Sequence, residues 1–445
     1  MNKDSKEYVM KTARERGVKF IRLWFTDMLG FLKSFAITVE ELEDTLEYGK
    51  SFDGSSIEGF TRVDESDMVA VPDPETFCLL PWRSKGEGTA VARMFCDIFW
   101  PDGSPYMSDP RQVLKRNLKR ARDMGYTYYV SAEIEYFYFK SNSLNPEVLD
   151  QGGYFDLTPL DVASDLRRDT VLTLESMGIP IESSHHEIAP SQHEIDLRYE
   201  DALSMADNTM TYRLVVKEVA LAKGVYATFM PKPFADHDGS GMHIHQSLFE
   251  AEKNLFYDKK DKNRLSAVAK AFIAGLLRHS PEMVAVTNQW VNSYKRLVAG
   301  YDSPVYVTWA FRNRASLVRV PMFNPHKEQA VRAEFRVPDP ACNPYLALSV
   351  MLAAGLEGIE KGYELPPPVE EDLGTLSREE IARMKLERLP DNLLDAVRRM
   401  ESSELMRRAL GDDLFEKLIQ NKKIEWQRYH HHISEYEMQR YLPLL

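Results

Sequence analysis

Two glutamates, Glu133 and Glu135, lie one residue apart in the stretch SAEIEYFYF, residues 131–139. Tyr, Phe and Ile fill this stretch and neither Gly nor Pro interrupts it, so it reads as a β-strand. Side chains alternate along a strand. Both carboxylates therefore leave one face, and Ala132, Ile134, Tyr136 and Tyr138 leave the other. Two enclosed carboxylates side by side repel unless something cationic sits between them. A solvated strand face would also carry paired acids, but Phe137 and Phe139 share this one. A divalent-metal site is the better reading, provided other segments supply more ligands.

Three more strand-like segments follow the same logic. GMHIHQSL sets His243, His245 and Ser247 on one face and Met242, Ile244 and Leu248 on the other. RAEFRV sets Arg332, Glu334 and Arg336 together, opposite Ala333, Phe335 and Val337. SQHEIDLRY sets Glu194 on its polar side and Ile195, Leu197 and Tyr199 opposite, and Glu187 closes the run ESSHHE just upstream. One such segment alone is more often a half-solvated strand. Four of them, each with an acid or histidine at its centre, point to strands converging on one polar cavity.

Five glutamates and one histidine make a mostly hard-oxygen donor set, which favours Mg²⁺ or Mn²⁺ over zinc or copper. The HHE run at residues 185–187 lacks the second histidine of an HExxH motif, so zinc hydrolysis is a poor alternative. Arg296, Arg312, Arg314, Arg319, Arg332 and Arg336 crowd the downstream sequence. Guanidinium groups pair carboxylate and phosphate oxygens in a fork. Carboxylate-held metals facing arginines are the equipment of phosphoryl transfer. Neither a GxxxxGK[ST] loop nor a GxGxxG fingerprint is present, so a nucleotide must be held by other means.

The elements that must position these residues are partly readable. Residues 1–105 read as a small α+β domain. A helix ends at Gly17, the strand VKFIRLWFTD follows, and residues 31–37 form its hairpin partner with Gly30 in the turn. A helix over residues 38–48, the polar loop SFDGSSIEGF and short strands near 68–71 and 90–98 complete it. WPDGSP marks the boundary. Ser108 then caps a helix with Pro110 in its first turn and Gly125 just past its end. Residues 362–374 read as an exposed loop and residues 389–441 as mostly helical. His430, His431 and His432 belong to a solvated helix face rather than a metal tract.

At 445 residues the chain can build two or three domains with ample core. Its formal charge of −12 argues against a nucleic-acid binder but leaves room for a locally basic site. Cys78, Cys96 and Cys342 form no disulfide framework or zinc spacing and fit a reducing compartment. The charged N-terminus lacks the apolar core of a signal peptide, and no run has the length of a membrane span. A cytoplasmic location is expected.

Taken in order, the motifs FDGSSIEGF (52–60), ESDM (65–68), the EIE pair, GGYFD (152–156), SHHEIAPSQHEID (184–196), FMPKP (229–233), GSGMH (239–243), NSYKRL (292–297) and PDPACNPYLA (338–347) span almost the whole chain. In these the chain resembles the glutamine synthetases, in their short bacterial and archaeal type I form. The resemblance implies an α+β fold, with an N-terminal β-grasp domain over residues 1–105 and a funnel-shaped catalytic domain over residues 106–445. It implies a ligase that joins ammonia to the γ-carboxylate of L-glutamate with ATP, through a γ-glutamyl phosphate. It also implies a dodecamer with active sites between subunits.

By matched motif, Glu135, Glu187 and Glu194 would hold one Mg²⁺ or Mn²⁺, and Glu133, His243 and Glu334 a second. Glu182, Tyr199, His245, Ser247, Arg319 and Arg332 would line the nucleotide side. Gly239, Arg296 and Arg336 would hold glutamate, and Arg314 would face the transferred phosphate. Asp53 of the adjacent subunit would bind and deprotonate ammonium. Two loops depart from the family pattern beside the amine: the flap reads GYDSP with Asp302 in place of Glu, and FADHDGSG has Asp238 where Asn is usual. A γ-glutamyl-amine ligase acting on a larger amine or polyamine is the alternative. Residues 366–400 contain no tyrosine, so control by adenylylation is not expected. Arg62 stands where the short subtype has a regulatory arginine.

Overall fold

The computed structural model describes residues 3–445 except 56, 58–65, 84–88, 302, 325 and 372, and not the side chains of 3, 374 and 378. Arg62 and Asp302 therefore lie outside the described residues.

Two sheets organise the chain. The first contains β1 (Val18–Thr26), β2 (Leu32–Thr38), β3 (Lys50–Asp53), β4 (Asp67–Pro72), β5 (Cys78–Leu79) and β6 (Ala90–Phe99). Its order is β2-β1-β6-β4-β3, with β5 also on β6, and β1 runs parallel to β6. Helices α1 (Lys3–Glu15) and α2 (Leu42–Tyr48) close one face, where Val9, Leu42 and Leu46 meet Ile21, Leu23 and Met68. The helix expected over residues 38–48 is in fact a 3₁₀ turn over Val39–Glu41 followed by α2.

The second sheet carries the chemistry. Its strands are β7 (Thr127–Phe139), β8 (Ile181–His186), β9 (Gln192–Leu197), β10 (Glu200–Asp201), β11 (Tyr226–Thr228), β12 (Met242–Glu250), β13 (Lys253–Asn254), β14 (Trp309–Ala310), β15 (Val318–Arg319) and β16 (Ala333–Phe335). The main path is β14-β15-β16-β12-β7-β9-β8. β7 begins four residues before the stretch read from sequence, because Thr127–Val130 continues the same alternation against β12. Val130, Ala132, Ile134 and Tyr136 of β7, with Met242, Ile244 and Leu248 of β12, turn their apolar face into the main core.

That core is filled by helices. α3 (Pro110–Asp123), α4 (Ser164–Ser176), α5 (Ala202–Ala222), α6 (Ala267–Thr287), α7 (Ser293–Arg296) and α8 (Pro344–Lys361) precede a helical tail of α9 (Arg378–Met384), α10 (Leu393–Glu401), α11 (Glu404–Leu410), α12 (Asp412–His430) and α13 (Glu435–Tyr441). The N-cap of α3 is Asp109, not Ser108: its Oδ1 accepts the Arg111 N–H at 3.1 Å. Pro110 occupies the first helical turn, which leaves the residue before it as the cap. Ser108 instead donates to the Asp413 carboxylate.

One buried arginine on α3 ties the first domain to helix α5. Arg111 donates to Asp73 and Asp97 of the first domain, each at 2.8 Å, and to Asp207 of α5 at 3.1 and 3.0 Å. Asp207 also accepts the Tyr345 hydroxyl at 2.6 Å. Among the described residues, no helix is long and apolar enough to cross a membrane.

Candidate active site

The antiparallel register lines the polar side chains up across six neighbouring strands. Arg319 stands opposite Glu334, and Glu334 opposite His245. One step along, His243 stands opposite Glu133, and Glu133 opposite Asp196. Glu135 stands opposite Glu194, and Glu194 opposite His185. Period-two alternation on each strand therefore brings every one of these groups to the same face. The four segments turn their polar groups to one shared face.

Close contacts fix the order of charges. Glu334 is fully buried and takes Arg319 Nη1 on Oε2 at 2.5 Å, with Arg336 on its other oxygen. His245 Nδ1 accepts from Arg332 Nε at 3.0 Å, since a guanidinium can only donate. Its Nε2–H then donates to Glu133 Oε1 at 2.5 Å. His243 Nδ1 lies 3.2 Å from Glu133 Oε2. Glu135 Oε2 accepts from Gln192 Nε2 and the Gly241 N–H, both at 2.9 Å. His185 Nε2 lies 2.8 Å from Glu187 Oε1 and 3.6 Å from Glu194 Oε1.

Electrostatics follow from this crowding. Burial, with Asp196, Glu135, Glu133 and Glu187 nearby, pushes the Glu194 carboxyl well above its ordinary range. Burial also opposes ionisation of Glu133, yet His245 and His243 beside it hold it well below. Glu334 is likewise held down against burial by Arg336 and the two histidines. Positive charge thus sits at one end of the face, and carboxylates repel at the other.

These residues fit a divalent cation. Glu133, Glu194 and His243 each offer an atom within 4.8 Å of the others, as do Glu133, His245 and Glu334, and also His185, Glu187 and Glu194. Among the described residues His243 Nε2 is buried without a hydrogen-bond partner, and it faces Glu135 Oε1 at 3.9 Å. The groupings differ from those the resemblance implies: Glu133 belongs to two of them, and Glu135 to none. Two imidazoles hold Glu133 between them, while Gln192 and Gly241 occupy one oxygen of Glu135 and leave the other facing His243.

Other expected residues flank this face. Gly239 packs where a Cβ would stand 2.3 Å from the Pro231 carbonyl oxygen and 3.2 Å from Arg296 Cγ, so only glycine fits. Arg296 is buried and donates to the carbonyls of Val337 at 2.9 Å and Arg336 at 3.2 Å. Asp238 immediately precedes Gly239 in this loop. Arg314 lies over the Tyr154 ring at 5.5 Å, and that ring meets His185 edge-on at 5.4 Å. Ser247 stands opposite Tyr129 on the β12–β7 ladder, and Glu182 is exposed at a bulge in β8.

One placement differs from the sequence reading. Tyr199 follows the end of β9, so alternation no longer governs it; it is exposed and packs edge-on to Tyr129, on the acid side of β7. Asp53 ends β3 of the other sheet and accepts from Ser55 and Ser66 at 2.9 and 3.1 Å. Asp196 and Gln192 were missed. Asp196 sits two residues after Glu194, so the alternation that flagged Glu194 flags it too.

Two family models cover nearly all of this architecture: the glutamine synthetase β-grasp domain matches residues 17–101, and the glutamine synthetase catalytic domain matches residues 107–441. The chain belongs to the glutamine synthetase family. It is 55% identical over 442 residues to the glutamine synthetase of Mycolicibacterium smegmatis, covering 99% of each chain. Against that of the archaeon Methanosarcina mazei it is 49% identical, covering 99% of this chain and 98% of the other. A solved structure of a GmaS/ADP complex is 33% identical and superposes with a TM-score of 0.89 over 98% of this chain and 99% of that one. Full-length agreement with bacterial and archaeal members makes this a short type I glutamine synthetase, with a β-grasp domain ahead of the catalytic one.

Proposed function

We propose that this chain joins ammonia to the γ-carboxylate of L-glutamate through a γ-glutamyl phosphate, using the face built on β7, β9, β12 and β16. The overall reaction, glutamate, ammonia and ATP to glutamine, ADP and phosphate, is that of the family. The observation that carries the reading is the register itself: a row of carboxylates on adjacent strands ends in Glu334, which two arginines hold.

Glu133, Glu135, Glu187, Glu194, His243 and Glu334 would hold two Mg²⁺ or Mn²⁺ ions. Bound there, such ions neutralise phosphate oxygens and polarise the transferred group. The residues then have distinct tasks. Arg296, Arg336 and the Asp238–Gly239 loop orient glutamate, so that its γ-carboxylate oxygen attacks the terminal phosphorus of ATP as the bond to ADP breaks. Glu182, Tyr199, His245, Ser247, Arg319 and Arg332 line the nucleotide side, and superposition on a GmaS/ADP complex supports a nucleotide site. Arg314 balances charge on the transferred phosphate. Ammonia then attacks the acyl carbon and phosphate leaves. Asp53 of a neighbouring subunit takes a proton from ammonium, and Asp302 in the flap shields the intermediate from water.

This division of labour needs an assembly, a dodecamer by family analogy. Exposed apolar side chains on the tail, Ile433, Met438, Leu442 and Leu444, support burial against other copies. A cytoplasmic location accords with three free cysteines.

Phosphate release with glutamate and ATP, measured with ammonium, methylamine, ethanolamine and putrescine in turn, tests the acceptor. Ammonium is expected to give the highest kcat/KM. A preference of about tenfold for any organic amine, roughly 1.4 kcal/mol in transition-state binding, would overturn the assignment.

A further inference from the structure

Behind the acid face of β8 and β9 lies a second polar cluster, wholly enclosed. His186 and His193 stand opposite each other across the strand pair, both at most 1% exposed, with ring centroids 4.7 Å apart. Each immediately precedes a site carboxylate, Glu187 or Glu194, and alternation turns the imidazoles to the other side of the sheet. His186 Nδ1 lies 2.7 Å from the Glu187 carbonyl oxygen, and its Nε2 lies 3.0 Å from Asp150 Oδ1. A carbonyl oxygen only accepts, so Nδ1 donates to it.

Asp150 is itself held firmly. Its Oδ1 accepts the Ser191 N–H at 2.8 Å, and Ser191 Oγ accepts the N–H groups of Leu149 and Asp150 at 2.6 and 3.1 Å. The loop presses on the ring so closely that a Cβ at Gly152 would stand 2.7 Å from His186 Nε2. Asp150, His186 and His193 would suit a cation by residue type. Arg167 already supplies positive charge there, with Nη1 2.9 Å from His193 Nδ1 and Nη2 2.7 Å from Asp161 Oδ2. His186 Nδ1 is also committed to a carbonyl. The cluster is built for holding, not for ligation.

What it holds is the Glu187 peptide. β8 ends at His186, so Glu187 lies just past the ladder, before a turn that places Ser191 at a φ of +59°. We infer that His186, anchored by Asp150, is a positioning residue for Glu187: its ring fixes the peptide from which that carboxylate reaches toward the metal site. The inference rests on the reading of Glu187 as a metal ligand. Groups bonded directly to a ligating side chain are worth about 10–100-fold in metal affinity, and His186 acts one step behind, through the Glu187 peptide.

Two substitutions separate positioning from packing. His186→Asn keeps a donor near the Nδ1 position, and His186→Gln keeps reach to Asp150 but loses that donor. Mn²⁺ binding to the intact enzyme, without ATP or glutamate, is followed by electron paramagnetic resonance beside melting curves, with Glu187→Gln as the reference. His186→Gln is expected to weaken one Mn²⁺ site by about tenfold and leave the other within about threefold, with His186→Asn close to wild type at both. Wild-type affinity in His186→Gln, with Glu187→Gln weakened, would overturn the inference alone. So would parallel losses at both sites, in both His186 variants, with a fall in melting temperature, because that is a structural role. Unchanged affinity in Glu187→Gln would overturn the ligand reading and this inference with it.

Discussion

Glu334 has no exposed surface, and both of its oxygens take an arginine, whereas the side chain of Glu133 keeps 28% of its surface exposed and is held by two imidazoles. The two carboxylates should therefore fail differently when neutralised. Glu133→Gln and Glu334→Gln are each expected to abolish glutamine formation and weaken Mn²⁺ binding. Only Glu334→Gln should also destabilise the fold, by roughly 3–5 kcal/mol, since it strands buried guanidinium charge. Mn²⁺ titration beside denaturant melts checks both parts, and unchanged affinity in both variants would sink the two-metal assignment. At this scale the sequence was highly legible within each strand, because alternation sets Glu133 with Glu135 and His243 with His245; the pairing that joins them to Glu334 came from the register. Asp196 went unread only because Glu194 had already been taken as the acid of its segment. The His186–Asp150 contact had no sequence signal: the residues stand 36 apart and the aspartate lies in a loop.

Secondary structure elements were legible where the pattern was local, and their packing was not. Pro110 and Gly125 marked α3 correctly, and the cap slipped by one residue because Ser108 and Asp109 are both good caps. The Arg111 tie could not be read at all, since its acids come from β6, α5 and the loop at Asp73, up to 96 positions away. The same holds for α12, whose Lys422 is buried with no hydrogen-bond partner among the described residues and stands 4.6 Å from the Trp290 ring. Burial pushes its ammonium down to about 7, and Glu425 and Asp27 only partly oppose this. Between pH 7 and the ordinary lysine range near 10.5 the unfolded chain binds a proton that the folded chain does not, so stability rises with pH across that window. Lys422→Met is expected to raise stability at pH 7 by about 1–4 kcal/mol and to lose that part of the rise. Melting midpoints of both proteins at pH 7 and 9 measure it. A variant less stable than wild type at pH 7 would mean that the lysine is held by an attraction stronger than its cost of burial.

At the scale of the whole molecule, the proposed reading divides one site between two sheets. The acid face belongs entirely to the second sheet, yet Asp53 ends an edge strand of the first, where its described hydrogen bonds run to Ser55 and Ser66. Those bonds hold its carboxyl below the ordinary range, which favours the charged form that would attract an ammonium cation in the proposed reading. If its partner site is on a neighbouring copy, two dead proteins can complement each other. Asp53→Ala retains the acid face, and Glu334→Gln retains the donor loop of Asp53. In a randomly mixed ring of equal parts, a working site needs an Asp53→Ala chain at the acid face beside a Glu334→Gln chain at the donor position. For heterologous interfaces in a closed ring this occurs at about one site in four. Co-refolded or co-expressed mixtures are therefore expected to recover about a quarter of wild-type activity, where each parent alone has almost none. Native mass spectrometry establishes that mixed oligomers formed. Mixed oligomers without recovered activity would return Asp53 to its own chain and remove the need for a shared site.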